Sequence, residues 1–149
     1  MTDFTEIVPT AIRDNAFQAI GKEWMLITAG PLGGCNTMTA SWGAWGELWN
    51  KPVAFCFVRP QRHTFGFMER AEWYTLSFFR AAHKQALEYL GTHSGRDGDK
   101  IAASGLAPVA TPFGTVTFGE ARLVLECRKL YASDILRDSF VDTALREEV

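Results

Sequence analysis

The sequence has few cysteines and no recognisable cysteine motif. Only Cys35, Cys56 and Cys127 occur in 149 residues, and no two of them form a Cys-x-x-Cys pair. An odd count without such spacing argues against a disulfide framework and against a structural zinc site. The three histidines also lack metal-ligand spacing. We therefore predict no metal site.

Long apolar runs and a strong charge imbalance are also missing. A membrane-spanning helix needs about 20 predominantly apolar residues, and the sequence has no such run. The first residues carry no basic region followed by an apolar stretch, so we expect no signal peptide and a cytoplasmic protein. The net charge of −2 and a pI near 5.9 argue against a nucleic-acid-binding surface, which needs a basic face.

Several catalytic motifs are absent as well. The sequence contains no Gly-x-Gly-x-x-Gly after a strand, no phosphate loop ending in Gly-Lys-Ser/Thr and no His-Glu-x-x-His. The nucleophile elbow of the α/β-hydrolases is missing too. These absences leave hydrolase chemistry without support.

The chain does contain many apolar and aromatic residues that can form a hydrophobic core. Hydrophobic residues make up 47% of it, with eleven Phe and five Trp, which argues against disorder. At this length the chain is expected to form one domain over residues 1–149, with a core that needs no disulfide or metal. The sequence shows no linker, repeat or low-complexity tract.

Short strands in succession dominate the predicted secondary structure. Strands are expected at 24–29, 36–41, 53–58, 73–79, 115–120 and 122–130, and short helices at 65–70, 81–90 and 100–104. Thr64 is expected to cap the first of these helices and Gly91 to stop the second, and the proline-containing residues 107–114 are expected to form a connection. Apolar residues on both faces of 53–58 predict a central strand, and a single turn before it predicts antiparallel pairing with 36–41. Strands in runs rather than in alternation with long helices predict a mainly β protein, an antiparallel barrel with helices packed outside.

The loop after the 53–58 strand has residues suited to a phosphate. Arg59 and Arg62 flank Pro60, and the proline stiffens the loop and lowers the entropy cost of holding both arginines. Guanidinium groups bind phosphates through paired charge-assisted hydrogen bonds. Thr64, at the expected start of a helix, adds a hydroxyl and nearby N–H groups. The alternative is an exposed basic loop with no ligand.

Two further stretches are candidates for ligand contacts. Thr37, Thr39 and Ser41 share one face of a strand, where their hydroxyls could bond a polar ring edge or a sugar chain, or simply form an exposed hydroxyl face. Trp42 and Trp45 could stack on a flat ligand or belong to the core or an interface. Residues 92–100 are expected to form a glycine-bearing polar loop, and within its 94–100 part Arg96 and Lys100 could add to an anion site. The alternative for this loop is a helix-capping turn with Asp97 or Asp99 as the cap.

Together, residues 36–42, 59–64 and 89–100 resemble the flavin reductase-like family, and within it the flavoredoxin-like proteins. The likeness extends from about residue 24 to residue 130. It implies a Greek-key antiparallel split barrel that binds FMN, usually as a homodimer with the flavin near the subunit interface. Members of this family usually continue into a further strand, so we expect this chain either to lack that strand or to close its barrel differently.

The resemblance also implies a set of FMN-binding residues. The 37–42 strand is expected to line the isoalloxazine ring and ribityl chain, Arg59, Arg62 and Thr64 to hold the phosphate, and the 94–100 loop to lie near the flavin. The implied cofactor-binding residues are Asn36, Thr37, Met38, Thr39, Ala40, Ser41, Trp42, Arg59, Arg62, His63, Thr64, Ser94, Arg96 and Lys100.

The implied activity is hydride transfer from NADH or NADPH to flavin, and the alternative is an FMN-binding electron carrier that docks a redox partner protein. In either case the flavin carries the redox chemistry and the protein binds and orients it.

Overall fold

A computed structural model describes residues 3–149, and this part of the chain is mainly β, with short helices between the strands. The strands are β1 (Met25–Ala29), β2 (Asn36–Ala40), β3 (Gly43–Leu48), β4 (Lys51–Cys56), β5 (Trp73–Phe78), β6 (Pro108–Ala110), β7 (Val116–Phe118) and β8 (Leu123–Arg128). The α-helices are α1 (Ala16–Gln18), α2 (Thr64–Arg70), α3 (Lys84–Thr92), α4 (Lys100–Ser104) and α5 (Thr143–Glu148).

One four-stranded antiparallel sheet organises the described chain. Its strand order is β2-β1-β5-β8, so β2 is an edge strand. Two antiparallel hairpins, β3–β4 and β6–β7, accompany this sheet. In the register, Thr28 of β1 lies opposite Thr37 of β2 on one side and Thr75 of β5 on the other. The mainly β, antiparallel architecture predicted from the sequence is confirmed.

Each face of the sheet is covered by a different core. On one face the buried residues Met25, Ile27 and Phe78 pack against α2 and the β3–β4 hairpin, and the Trp45 ring meets the Phe78 ring edge-on at 5.3 Å. On the other face the core includes Leu26 and residues of α3 and the β6–β7 hairpin. Alternation along β1 sends successive side chains to opposite cores, which is why all five of its residues are buried.

Buried hydroxyl groups join the sheet to the β6–β7 hairpin. Thr75 Oγ1 donates to the carbonyl oxygen of Val116 at 2.6 Å, and the hydroxyls of Ser77 and Thr117 lie 2.8 Å apart. Buried polar groups are costly unless they find partners, so these bonds favour one position of β7 against β5.

The prediction for the 53–58 segment was wrong. Residues 43–48 form β3, and β4 pairs with β3 rather than with the 36–41 strand. The segment is also not central, since Phe55 and Phe57 are 44% and 42% exposed. Only one side of the segment is covered: Ala54, Cys56 and Val58 pack against the core, whereas Phe55 and Phe57 are exposed.

Two smaller predictions also need correction. Gly91 was predicted to stop the 81–90 helix, but α3 continues through it to Thr92. A Cβ on Gly91 would stand 3.1 Å from the Cβ of Thr39, so this glycine lets α3 lie close to β2. The proline-containing connection at 107–114 contains the short strand β6.

Candidate anion-binding site

Three segments that are far apart in the sequence meet beside the start of β2. They are Asn36, the loop that leads into α2, and the loop between α3 and α4. They enclose a cleft of about 230 Å³, called here the polar cleft. It is lined by Asn36, Gln61, Arg62, His63, Thr64, Gly91, Thr92, His93, Ser94, Arg96 and Lys100.

A second cleft of about 370 Å³ adjoins the polar cleft and shares Asn36, His63 and Lys100 with it. Its remaining lining is less uniformly polar, because it includes Phe67 and Ile101 as well as the Asp99 carboxylate. We call it the adjoining cleft. Small-molecule sites typically occupy about 300–1,000 Å³, so the two clefts together offer enough room for a ligand of that size.

Close packing holds the three segments together. Asn36 Nδ2 donates to Thr64 Oγ1 at 2.8 Å, which joins the start of β2 to the start of α2. A Cβ on Gly95 would stand 2.3 Å from Asn36 Oδ1 and 2.9 Å from His63 Cδ2. Only a glycine therefore allows the loop after α3 to approach the other two segments this closely.

Hydrogen bonds along the loop after α3 fix its shape. Arg96 Nη1 donates to the carbonyl oxygen of Gln61 at 3.0 Å, and Ser94 Oγ accepts from the Arg96 N–H at 3.2 Å. Asp99 caps α4 by accepting from the N–H of Ala102, as the capping alternative for this loop predicted. The loop is thus a capping turn that also brings two cationic side chains to the polar cleft.

Lys100 is a buried lysine at the junction of the two clefts. The residue is only 5% exposed, and its Nζ donates to the carbonyl oxygens of Leu90 and His93, both at 2.9 Å. Burial, and after it the charge of Arg62, lowers the pKa of Lys100 to about 8. A nearby anion would oppose this effect and favour the charged ammonium.

Positive charge is concentrated at the polar cleft without balancing carboxylates. Within residues 3–149, Arg62, Arg96 and Lys100 form no ion pair with a carboxylate. Burial and then the charge of Arg59 lower the pKa of Arg62. Burial, followed by the charges of Arg96, Lys100 and Arg70, lowers the pKa of His63 and keeps it neutral at pH 7. The site therefore has the electrostatics of an anion-binding site, since an anion would relieve the mutual repulsion of its cations.

Several predicted site residues lie elsewhere. Thr37 Oγ1 lies 2.8 Å from Thr28 Oγ1 and donates to the carbonyl oxygen of Ile27, while Thr39 Oγ1 donates to the carbonyl oxygen of Leu87. Both hydroxyls are therefore occupied within the protein. The side chains of Met38 and Ala40 belong to the core, whereas Ser41 and Trp42 are exposed outside both clefts.

Arg59 is beside the polar cleft but does not line it. With the Gln61 amide oriented so that its oxygen faces Arg59, the guanidinium donates to that oxygen through Nε and Nη2, both at 3.0 Å. Thr64 was predicted to cap α2, but the residue before the helix is His63, which makes no capping bond. Thr64 instead lies in the first turn and presents its hydroxyl to Asn36.

Sequence reasoning missed some of the lining residues. Thr92 and His93 belong to the predicted polar loop but were not named as site residues, and Gly91 was assigned only the role of a helix stop. His93 also stacks on Tyr89, with ring centroids 3.9 Å apart. Cys35 and Phe67 in the adjoining cleft carried no sequence signal that distinguishes them from core residues.

In residues 3–149 no cluster of three or more His, Cys, Asp or Glu side chains is arranged to hold a metal ion. The same residues include no helix with the length and apolarity that a membrane crossing requires.

Comparison with known proteins connects this geometry to one family and one fold. The sequence model of the flavin reductase like domain matches residues 17–141. No curated protein matches the sequence.

Solved structures share the fold at low sequence identity. The FMN-binding domain of a flavin reductases-like enzyme from Shewanella baltica OS155 is 18% identical, with TM-score 0.67, over 78% of this chain and 62% of that one. The flavoredoxin of Desulfovibrio vulgaris (Miyazaki F) is 22% identical, with TM-score 0.68, over 74% and 61%. A protein with a split barrel domain from Shewanella frigidimarina NCIMB 400 is 19% identical, with TM-score 0.66, over 85% and 67%. These matches confirm the predicted split-barrel fold. This chain spans less than two thirds of the first two structures.

Proposed function

Because this chain belongs to the flavin reductase-like family, we propose that it binds FMN and functions as a flavin-dependent oxidoreductase. The observation that supports this most directly is the cluster of cations without carboxylate partners at the polar cleft. The phosphate of FMN carries roughly −1.5 to −2 charges at pH 7. The phosphate is therefore the part of FMN that this cluster of cations would bind.

In this proposal the polar cleft holds the phosphate. The guanidinium groups of Arg62 and Arg96 and the ammonium of Lys100 supply positive charge, and Thr64 and Ser94 supply hydroxyl groups. His63, neutral at pH 7, adds a hydrogen-bonding ring between the two clefts. Arg59 contributes at longer range, through its charge and through its contact with Gln61.

The 37–42 segment is assigned to the ring and ribityl chain through its main chain rather than its hydroxyls. The Thr37 and Thr39 hydroxyls are bonded within the protein, and Met38 and Ala40 point into the core. Because β2 is an edge strand, its outer N–H and C=O groups are available to a polar ring edge. Ser41 and Trp42 extend this edge beyond the strand.

FMN, when bound, supplies the redox chemistry, and we propose hydride transfer from NADH or NADPH as the reaction. The residues of the clefts anchor the phosphate, orient the cofactor and provide fixed dipoles. No side chain is assigned as a nucleophile or as a general base. We also propose that the chain forms one domain and acts in the cytoplasm.

A face of exposed apolar residues favours a protein partner. Trp42, Trp49, Phe55 and Phe57 are between 42% and 59% exposed, and all lie in or beside the β3–β4 hairpin. Exposed apolar surface of this kind often marks an interface. We propose that the chain forms a homodimer. As a second function, we propose that it is an electron carrier that docks a redox partner on this face. Light scattering over a range of concentrations tests the dimer.

The decisive experiment is spectroscopic. The purified protein is mixed with FMN and separated from free flavin, and flavin absorbance is expected to remain with the protein. Anaerobic mixing with NADH and with NADPH then distinguishes the two functions. Rapid loss of the flavin absorbance supports a reductase, and a flavin spectrum that stays unchanged with both NADH and NADPH supports the carrier. Absence of binding at saturating FMN would contradict both.

A further inference from the structure

Asn36 and Thr64 form a buried hydrogen-bonded pair in the wall of the polar cleft. Asn36 is 5% exposed and Thr64 is 1% exposed, and Asn36 Nδ2 donates to Thr64 Oγ1 at 2.8 Å. The two residues are 28 positions apart in the sequence. The bond therefore joins two segments of the site and does more than close a local turn.

The direction of this bond decides what the threonine hydroxyl can do. A hydroxyl group has one proton to donate and two lone pairs to accept with. Because Thr64 Oγ1 accepts from Asn36, its own proton must be directed to some other acceptor. Among residues 3–149 the bond to Asn36 is the only hydrogen bond of the Thr64 side chain. The proton is therefore available to a ligand in the cleft that Thr64 lines.

The Asn36 carboxamide has little room to turn around. Its nitrogen faces Thr64, and its oxygen lies where a Cβ on Gly95 would stand only 2.3 Å away. Asn36 is also the first residue of β2, where it pairs with Ala29. The oxygen carries no hydrogen and so fits against Gly95, whereas the NH2 group would bring hydrogens into this narrow space. The close approach of Gly95 therefore favours the orientation in which Asn36 donates to Thr64.

We propose that Asn36 is a positioning residue that sets the direction of the Thr64 O–H bond, so that this hydroxyl donates to the phosphate of the bound flavin. The pair then contributes to selection of FMN over riboflavin, which lacks the phosphate. This inference rests on the proposed function, in which the polar cleft takes the phosphate.

A double-mutant cycle tests the proposal. Dissociation constants for FMN and riboflavin are measured by flavin fluorescence for the wild type, Asn36→Ala, Thr64→Val and the double variant. A hydrogen bond to a charged group is worth about 1.5–3 kcal/mol, so each single change should lower the FMN-to-riboflavin affinity ratio about tenfold or more. The double variant should show about the same ratio as Thr64→Val alone, because both residues act through one hydroxyl.

Two further variants control for folding. Thr75→Val makes the same chemical change at a fully buried threonine outside both clefts, so it should reduce stability without changing the ratio. Thr64→Ser keeps the hydroxyl and should keep most of the preference for FMN. If Asn36→Ala does not fold, this pair of Thr64 variants decides, and an unchanged ratio in Thr64→Val overturns the proposal.

The outcomes separate this inference from the proposed function. A wild type that binds neither flavin, or binds both equally, overturns the phosphate assignment and this inference with it. A wild type that prefers FMN leaves the proposed function standing. In that case, either of two results would show a merely structural role for Asn36 and overturn the inference alone. One is that Asn36→Ala weakens the binding of FMN and riboflavin equally. The other is that Asn36→Ala lowers the FMN-to-riboflavin affinity ratio further in the Thr64→Val background.

Discussion

Raising the pH from 7 to 9 should weaken FMN binding through Lys100. The pKa of this buried lysine is about 8 in the folded protein, so roughly nine-tenths of it is charged at pH 7 and about one-tenth at pH 9. If only the charged form attracts the phosphate, the affinity for FMN falls about tenfold over this interval.

Other groups near the phosphate change little in this interval. The phosphate itself has its second pKa at about 6, and the pKa of His63 lies below its ordinary value, so neither group changes its charge much above pH 7. Burial raises the pKa of Cys35 above its usual value of 9.0; the bond to its own backbone opposes this rise, and the charge of Asp99 adds to it. Riboflavin, which lacks the phosphate, should show no comparable loss of affinity.

Two lysine variants make this assay specific. In Lys100→Met the pH dependence of FMN binding should disappear, and the affinity at pH 7 should fall to the level of the wild type at pH 9 or below it. Lys129→Met is the matched control, because Lys129 Nζ also donates to carbonyl oxygens at the end of a helix, those of Met68 and Glu69, but lies outside both clefts. A flat wild-type curve, or a slope that survives in Lys100→Met, refutes the role assigned to Lys100.

The same lysine predicts how the stability of the ligand-free protein varies with pH. Its pKa falls from an ordinary 10.5 to about 8 on folding, so between these values the unfolded chain binds more protons than the folded one. The contribution of Lys100 to the free energy of unfolding therefore rises with pH across this window. Urea unfolding of the wild type and Lys100→Met at pH 8 and pH 10 checks the sign.

The remaining predictions address packing and charge. Gly95→Ala should weaken FMN binding at least about tenfold by displacing its loop, whereas Gly21→Ala, where a Cβ meets nothing within 4 Å, should leave titrations with FMN unchanged. Arg62→Ala combined with Arg96→Ala should raise the FMN dissociation constant about a hundredfold or more, with a much smaller effect on riboflavin. Ser77→Ala should lower the free energy of unfolding by about 1–3 kcal/mol in urea, because it leaves a buried hydroxyl without its partner.

The sequence was sufficient to locate most of the sheet. Strands β1, β2, β5 and β8 all lie within predicted segments, because each carries a run of strand-forming residues bounded by turn residues. Strand β3 was missed because Gly43, Gly46 and Glu47 have poor strand propensity, and its pairing with β4 outweighs that preference. Strand β6 was missed because Pro108 indicated a connection, although a proline is tolerated at the start of a strand.

For the site, the sequence pattern indicated candidate residues but not where their side chains point. The structure brings Arg62, Thr64 and Arg96 to one cleft, whereas Arg59 lies beside it. A period of two correctly placed Thr37 and Thr39 on one face of β2, but it does not say whether solvent, ligand or protein covers that face. Here α3 packs against it, and the backbone of that helix takes the Thr39 hydroxyl. Only the tertiary arrangement could show this.

The assembly of the polar cleft from three distant segments has a consequence for the life of the protein in a cell. Residues 36, 62–64 and 94–100 come together only when the chain is folded, so an anion held there binds the native state and not the unfolded one. Such a ligand stabilises the fold by about 2.7 kcal/mol when its concentration is a hundred times its dissociation constant. Without it, the crowded cations repel one another and favour opening. The supply of flavin would then govern how much of this protein escapes proteolysis, and a shortage of cofactor would lower its abundance as well as its activity.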